Sequence, residues 1–139
     1  MRFRKLFITL FSMLIFIATS FAQDDPVTIT IVTHDSFNVS EDILNAFQDE
    51  SGITVEILRA GDAGQVVNQS ILSAGNPLGD VLFGVDNTFL SRAINAGIFI
   101  PYETPLLENV GQQFILDHTF NVTPIDYGDV CINYDIAYF

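Results

Sequence analysis

The chain has 139 residues, with five basic residues against 17 acidic ones and a formal net charge of −12 at pH 7. So acidic a balance repels nucleic acid and anionic membrane surfaces and concentrates cations, which excludes nucleic-acid binding and permits a cationic ligand. A solvated surface that keeps the protein soluble accounts for most of that charge by itself. The single cysteine, Cys131, allows no internal disulfide.

Residues 1–22 read as a signal peptide. Arg2, Arg4 and Lys5 form a basic start, Leu6 to Ile17 an apolar core, and Ser20-Phe21-Ala22 a small-x-small cleavage site. The alternative is an uncleaved anchor, but the apolar core is short for a bilayer span and no second one follows. Cleavage after Ala22 leaves Arg59 and Arg92 against all 17 acids, a formal charge of −15. The expectation is an exported protein, periplasmic or otherwise extracytoplasmic, whose remaining length suffices for one domain with a core.

The alternation of Thr with Val and Ile from Val27 to Val32 predicts a strand, which delivers Thr33-His34-Asp35-Ser36-Phe37 into a loop. Ser40 can cap a helix from Glu41 to about Ser51, with Ile43, Leu44 and Phe47 on one face and Gly52 as its stop. Thr54 to Leu58 predicts a second strand, followed by the loop Arg59 to Gly64. Val66, Val67, Ile71 and Leu72 then repeat at helical spacing until Gly75-Asn76-Pro77 breaks the chain. The run Asp80-Val81-Leu82-Phe83-Gly84 predicts a parallel strand covered on both faces. Asp86, Asn87 and Thr88 supply caps for a helix to about Ala96, with Gly97 as its stop.

Beyond it, Ile98-Phe99-Ile100 is a short apolar segment ended by Pro101, and Tyr102 to Asn121 reads as surface loop with a weak helix around Gln112 to Leu116. A turn at Asp126-Tyr127-Gly128 leads to a last strand, Asp129 to Asp135. There Cys131, between Val130 and Ile132, reads as a packed small hydrophobe rather than a nucleophile, and it does not follow the cleavage site as a lipid anchor would. The order β-α-β-α-β-α predicts an α/β fold, a mainly parallel sheet with helices on both faces. The chain stops just after a strand, so a cut before further structure is expected.

Ligands of open α/β sheets bind outside the carboxyl ends of the strands. Three loops should converge there, offering His34, Asp35 and Ser36; Asp62, Ala63 and Gly64; and Asp86 and Asn87, with Tyr127 facing the same cleft. Carboxylates, amides and helix N-terminal N–H groups can hold a polar, partly cationic molecule and an anionic appendage. Plainer roles compete at each position. Asp86, Asn87 and Asp62 make good helix caps, Asp35-Ser36 can simply close a turn, and a lone histidine at a strand end is commonly just a satisfied polar residue. His34 and His118 lie far apart with no recurring ligand spacing, so no metal site is expected. No Gly-x-Ser-x-Gly elbow, Cys/His pairing or phosphate-cradling loop occurs, and no catalytic residue is assigned. Asn38-Val39-Ser40, Asn68-Gln69-Ser70 and Asn121-Val122-Thr123 fit the glycosylation pattern, which matters only in a eukaryotic secretory route.

Thr33-His34-Asp35-Ser36-Phe37, Gly61-Asp62-Ala63-Gly64 with Asn68, Gly84-Val85-Asp86-Asn87 and Pro124-Ile125-Asp126-Tyr127-Gly128 with Asn133-Tyr134-Asp135 occur in one order. Together they resemble the thiamine-binding substrate proteins of ABC importers, within the type 2 periplasmic binding proteins. The resemblance implies two α/β lobes closing by a hinge over thiamine or a thiamine phosphate, a membrane permease as partner, a monomer, and neither cofactor nor reaction. It implies an amino-terminal lobe at 23–128 and, from 129 to 139, the start of the crossover into a second lobe. Asp62 would meet the ligand's polar or charged groups, with Asp86, Asn87 and Tyr127 beside it. Family members carry tyrosine where His34 stands, and an imidazole can still stack. The chain has no tryptophan, and the family's main aromatic sandwich would lie in the second lobe.

Three other functions remain open on the residues. A relative selecting ferric iron or a polyamine would share the lobe, although iron should need clustered tyrosines and Tyr102, Tyr127, Tyr134 and Tyr138 show no such grouping in sequence. An exported acid/base hydrolase could use Asp62 with Asp86. A single-lobe acidic adhesion module would follow if the natural chain ended at Phe139.

Overall fold

The computed structural model describes residues 26–128 and 131–138. The expected signal peptide lies outside the described residues, as do Asp129 and Val130. Six consecutive β-branched residues, Thr28–Thr33, form β1, as the packing of such side chains on a pleated surface favours. It is the middle strand of a parallel sheet of order β2-β1-β3. On one side it pairs with β2 (Thr54–Arg59), from Thr28 opposite Thr54 to Thr33 opposite Arg59. On the other it pairs with β3 (Val81–Leu82), Ile31 opposite Val81 and Val32 opposite Leu82.

Between β1 and β2 runs α1 (Glu41–Ser51). Gly52 ends it at φ 71°, a left-handed turn that only glycine adopts without steric cost, and returns its N–H to the Gln48 carbonyl. Ser40 precedes the helix in extended conformation, but its hydroxyl makes no cap bond, contrary to the expected cap. The expected apolar face is also largely uncovered: Ile43 is 62 % and Phe47 42 % exposed. The next helix, α2 (Ala63–Leu72), behaves differently. It packs against β1, and its Val66 and Val67 join Val32, Thr33 and Ala93 in the buried core.

Several expectations toward the carboxyl end are corrected. The apolar run at 80–84 yields only the two residues of β3, and Val81 is 45 % exposed, so this strand is not covered on both faces. It is pinned at its start by a side chain: Asp80 Oδ2 accepts the Thr30 N–H at 2.8 Å while the Asp80 N–H donates to the Thr30 carbonyl at 2.9 Å. The following helix, α3 (Leu90–Asn95), starts later than expected because residues 86–89 are taken up by a turn. Short 3-10 turns at Pro105–Asn109 and Gln112–Phe114 occupy the loop, the second replacing the weak helix around Gln112 to Leu116.

The last expected strand is absent among the described residues of 131–135. Cys131 is exposed rather than packed, and Ile132 is 89 % exposed. The physical reason is that no described strand lies beside this segment to complete a hydrogen-bond ladder, so its alternating pattern has nothing to be buried against. Among the described residues no helix is long and apolar enough to cross a membrane.

Candidate functional site

The carboxyl ends of the three strands deliver three loops, and the structure ties them together. After β1, the Asp35 N–H donates to the Gly61 carbonyl at 2.8 Å, and the Gly61 N–H donates back to Asp35 Oδ1 at 3.3 Å. The Ala60 N–H reaches the Thr33 carbonyl at 2.9 Å, and Arg59 Nη2 donates to the Phe37 carbonyl at 3.2 Å. The third loop joins through rings. Phe83 packs edge-on against Phe37 with centroids 4.8 Å apart, and the His34 ring lies 6.1 Å from Phe83. That ring also sits directly over Gly84, at φ 103°, where a Cβ would collide with the imidazole; glycine is required on both counts. The second and third loops meet where a Cβ on Gly64 would come within 3.0 Å of the Phe89 ring.

The carboxylates at this rim share one habit. Asp62 Oδ1 accepts the Gln65 N–H at 2.8 Å while Gln65 Oε1 accepts the Asp62 N–H at 3.0 Å, a capping box that opens α2. Asp86 Oδ1 accepts the N–H groups of Thr88 and Phe89 at 2.9 and 3.0 Å. Asp35 Oδ1 takes Gly61 as described. Capping therefore operates at Asp62, whereas Asp86 closes the turn before α3, whose N-cap is Phe89 without a side-chain bond; each uses one oxygen of an exposed carboxylate. An ionised carboxylate offers about four lone-pair sites, so acceptor capacity remains for a ligand.

Seven of the eight residues singled out in sequence, His34, Asp35, Ser36, Asp62, Ala63, Asp86 and Asn87, fall in these loops or at the first turn of α2. Tyr127 stacks on Phe114 at 4.3 Å and 21°, and no described contact ties it to the three loops. Sequence reasoning missed Arg59, Phe37 and Phe83 as parts of the rim. Arg59 carried one available signal, as one of only two basic residues beyond position 22. Thr33, fully buried next to His34, leaves its hydroxyl without a partner among the described residues. No group of three or more His, Cys, Asp or Glu that could hold a metal ion occurs among the described residues. A small groove between the end of α2, β3 and Phe99 lies at the start of β3, away from these loops.

Away from the rim, Asp117 organises the turn at 117–122. Its carboxylate accepts the backbone N–H and hydroxyl of Thr119 and the N–H of Asn121. Burial pushes its pKa up, but the hydrogen bonds from Thr119, Asn121 and Val122 outweigh it and hold the carboxyl below its ordinary value.

Strands, loops and helices together form an α/β fold around a three-stranded parallel sheet. A solved structure of the Trichodesmium protein IdiA (FutA), in complex with iron and citrate ligands, is similar to it, with a TM-score of 0.57 and 20% sequence identity over 68% of this chain. The similar region is 29% of that protein's chain, so this chain spans under a third of its length. No family model and no curated protein matches the sequence.

Proposed function

We propose that the protein is an exported solute-binding protein that captures thiamine or a thiamine phosphate and delivers it to the permease of an ABC transporter. The observation that carries this reading is the rim itself. Exposed carboxylates on two strand-end loops, Asp62 and Asp86, share the rim with the rings of His34 and Phe83, on loops joined by hydrogen bonds and ring contacts. Thiamine is a cation bearing two aromatic rings. A cation over a ring gains roughly 0.5–2 kcal/mol, and a carboxylate complements its charge. In this reading Asp62 takes the ligand's polar or charged groups on its free oxygen, and Asp86 and Asn87 border the cleft. Closure of a second lobe by a hinge desolvates the ligand, and no bond is made or broken.

A second reading has one specific observation behind it: the fold is shared with a protein solved with iron and citrate. Since no group of three or more His, Cys, Asp or Glu that could hold a metal occurs among the described residues, ferric binding would draw on tyrosines or on further residues. The two readings separate in a titration of the protein expressed from its complete gene with thiamine, thiamine phosphate, spermidine and ferric citrate. Saturable thiamine binding is expected. Asp62→Asn retains a capping oxygen and loses the charge, so it should leave stability nearly unchanged and weaken thiamine about tenfold, corresponding to about 1.4 kcal/mol. Saturation by ferric citrate alone would replace the thiamine reading with the iron one.

A further inference from the structure

The rim loops raise the question of which side chains touch a ligand and which only hold the rim in shape. The loop after β1 is fastened to the end of β2 at two points. At residue 35 the fastening is reciprocal, the backbone N–H to the Gly61 carbonyl and the Asp35 carboxylate to the Gly61 N–H. At residue 37 it is the Arg59 guanidinium, bonded to the Phe37 carbonyl, while the Phe37 N–H turns back on the His34 carbonyl at 3.0 Å. His34 lies between the Thr33 and Asp35 anchor points, and Asp62 follows Gly61 directly. Arg59 thus directs one of its five N–H donors to a carbonyl in a chain carrying 17 acids. That partner choice fits a geometric role better than charge neutralisation, because a planar guanidinium fixes direction as well as distance.

We infer that Asp35 and Arg59 are positioning residues that clamp the loop after β1 to the loop after β2, setting His34 and Asp62 at a fixed spacing. Asp35 then acts through Gly61 and does not meet the ligand with its charge. The affinity consequence rests on the thiamine reading; the clamp itself does not.

The test uses the protein from its complete gene, with Asp35→Asn, Asp35→Ala, Arg59→Lys and Arg59→Ala. Hydrogen exchange of the amides at Asp35, Phe37 and Gly61 is measured without ligand, and thiamine affinity is measured by titration. Asp35→Asn keeps an acceptor oxygen and loses the charge, so exchange and affinity should stay within about twofold of the parent. Asp35→Ala and Arg59→Ala should speed exchange at these amides about tenfold and weaken thiamine about fivefold, with Arg59→Lys between Arg59→Ala and the parent. Unchanged exchange in both alanine variants overturns the clamp. Equal affinity losses in Asp35→Asn and Asp35→Ala, with Asp35→Asn exchange unchanged, overturn it differently, by making the carboxylate charge a ligand contact. If an alanine variant does not fold, the Asn and Lys variants decide the matter by the same readings. A parent that ignores thiamine sinks the functional reading, and the exchange results still decide the clamp.

Discussion

Two helices flank one sheet and fare in opposite ways. In α2, Val66 and Val67 are buried completely or nearly so, and its first turn is closed by the reciprocal bonds of Asp62 and Gln65. In α1 no residue is buried, and Ser40 leaves its first turn without a side-chain cap. Yet both segments carry the same signals in sequence, a capping residue followed by apolar positions at helical spacing. The difference is tertiary. Most helical stability comes from the covered face, not from propensity, and α1 has little to cover it among the described residues. The rim belongs to the well-held half, since α2 begins at Asp62.

The largest expected effect tests that contrast in the core. Val67→Asp places an unpaired carboxylate at a site with no solvent exposure and should cost about 4 kcal/mol or more, whereas Phe47→Asp on α1 should change stability by about 0.5 kcal/mol or less. Denaturant unfolding of both variants decides it, and similar losses would mean that α1 is covered after all. Next comes the pair of caps. Asp62→Ala should cost about 1 kcal/mol and Ser40→Ala only a few tenths, because only Asp62 holds a backbone N–H.

A smaller, pH-dependent effect extends the rule beyond the helices, to the turn held by Asp117. Its carboxyl is held below its ordinary value of 3.8 in the folded chain. The stability it contributes is therefore present above that unfolded value and is lost as pH falls through the lower folded one. Amide shifts of Thr119 and Asn121 followed through acid titration should move together below the ordinary carboxylate range. Asp117→Asn should abolish that transition while leaving the α2 amides unaffected.

The first four elements were legible because local chemistry decides them: β-branched runs for β1 and β2, helical spacing with Gly52 as a stop for α1, and the Asp62 cap for α2. The α/β class and the convergence of three loops followed from their order alone. What failed depended on partners remote in sequence. The run at 80–84 looked like a central strand, but its pairing is shortened where Asp80 substitutes a carboxylate for a backbone acceptor at Thr30 and where Gly84 turns away beneath His34. Segment 131–135 alternates as a strand should, but alternation specifies a face without supplying a surface to cover it. At the site, the candidate acids were legible as polar loop residues. The roles of Arg59 and Phe83 were not, because each depends on contact with a loop from another strand.

The central claim, that this rim receives a cationic vitamin, is tested most directly by calorimetric titration of the protein from its complete gene with thiamine, beside its Asp62→Asn variant. The account predicts saturable one-to-one binding that weakens about tenfold in the variant. Absence of thiamine binding, or equal affinity in both proteins, would contradict it.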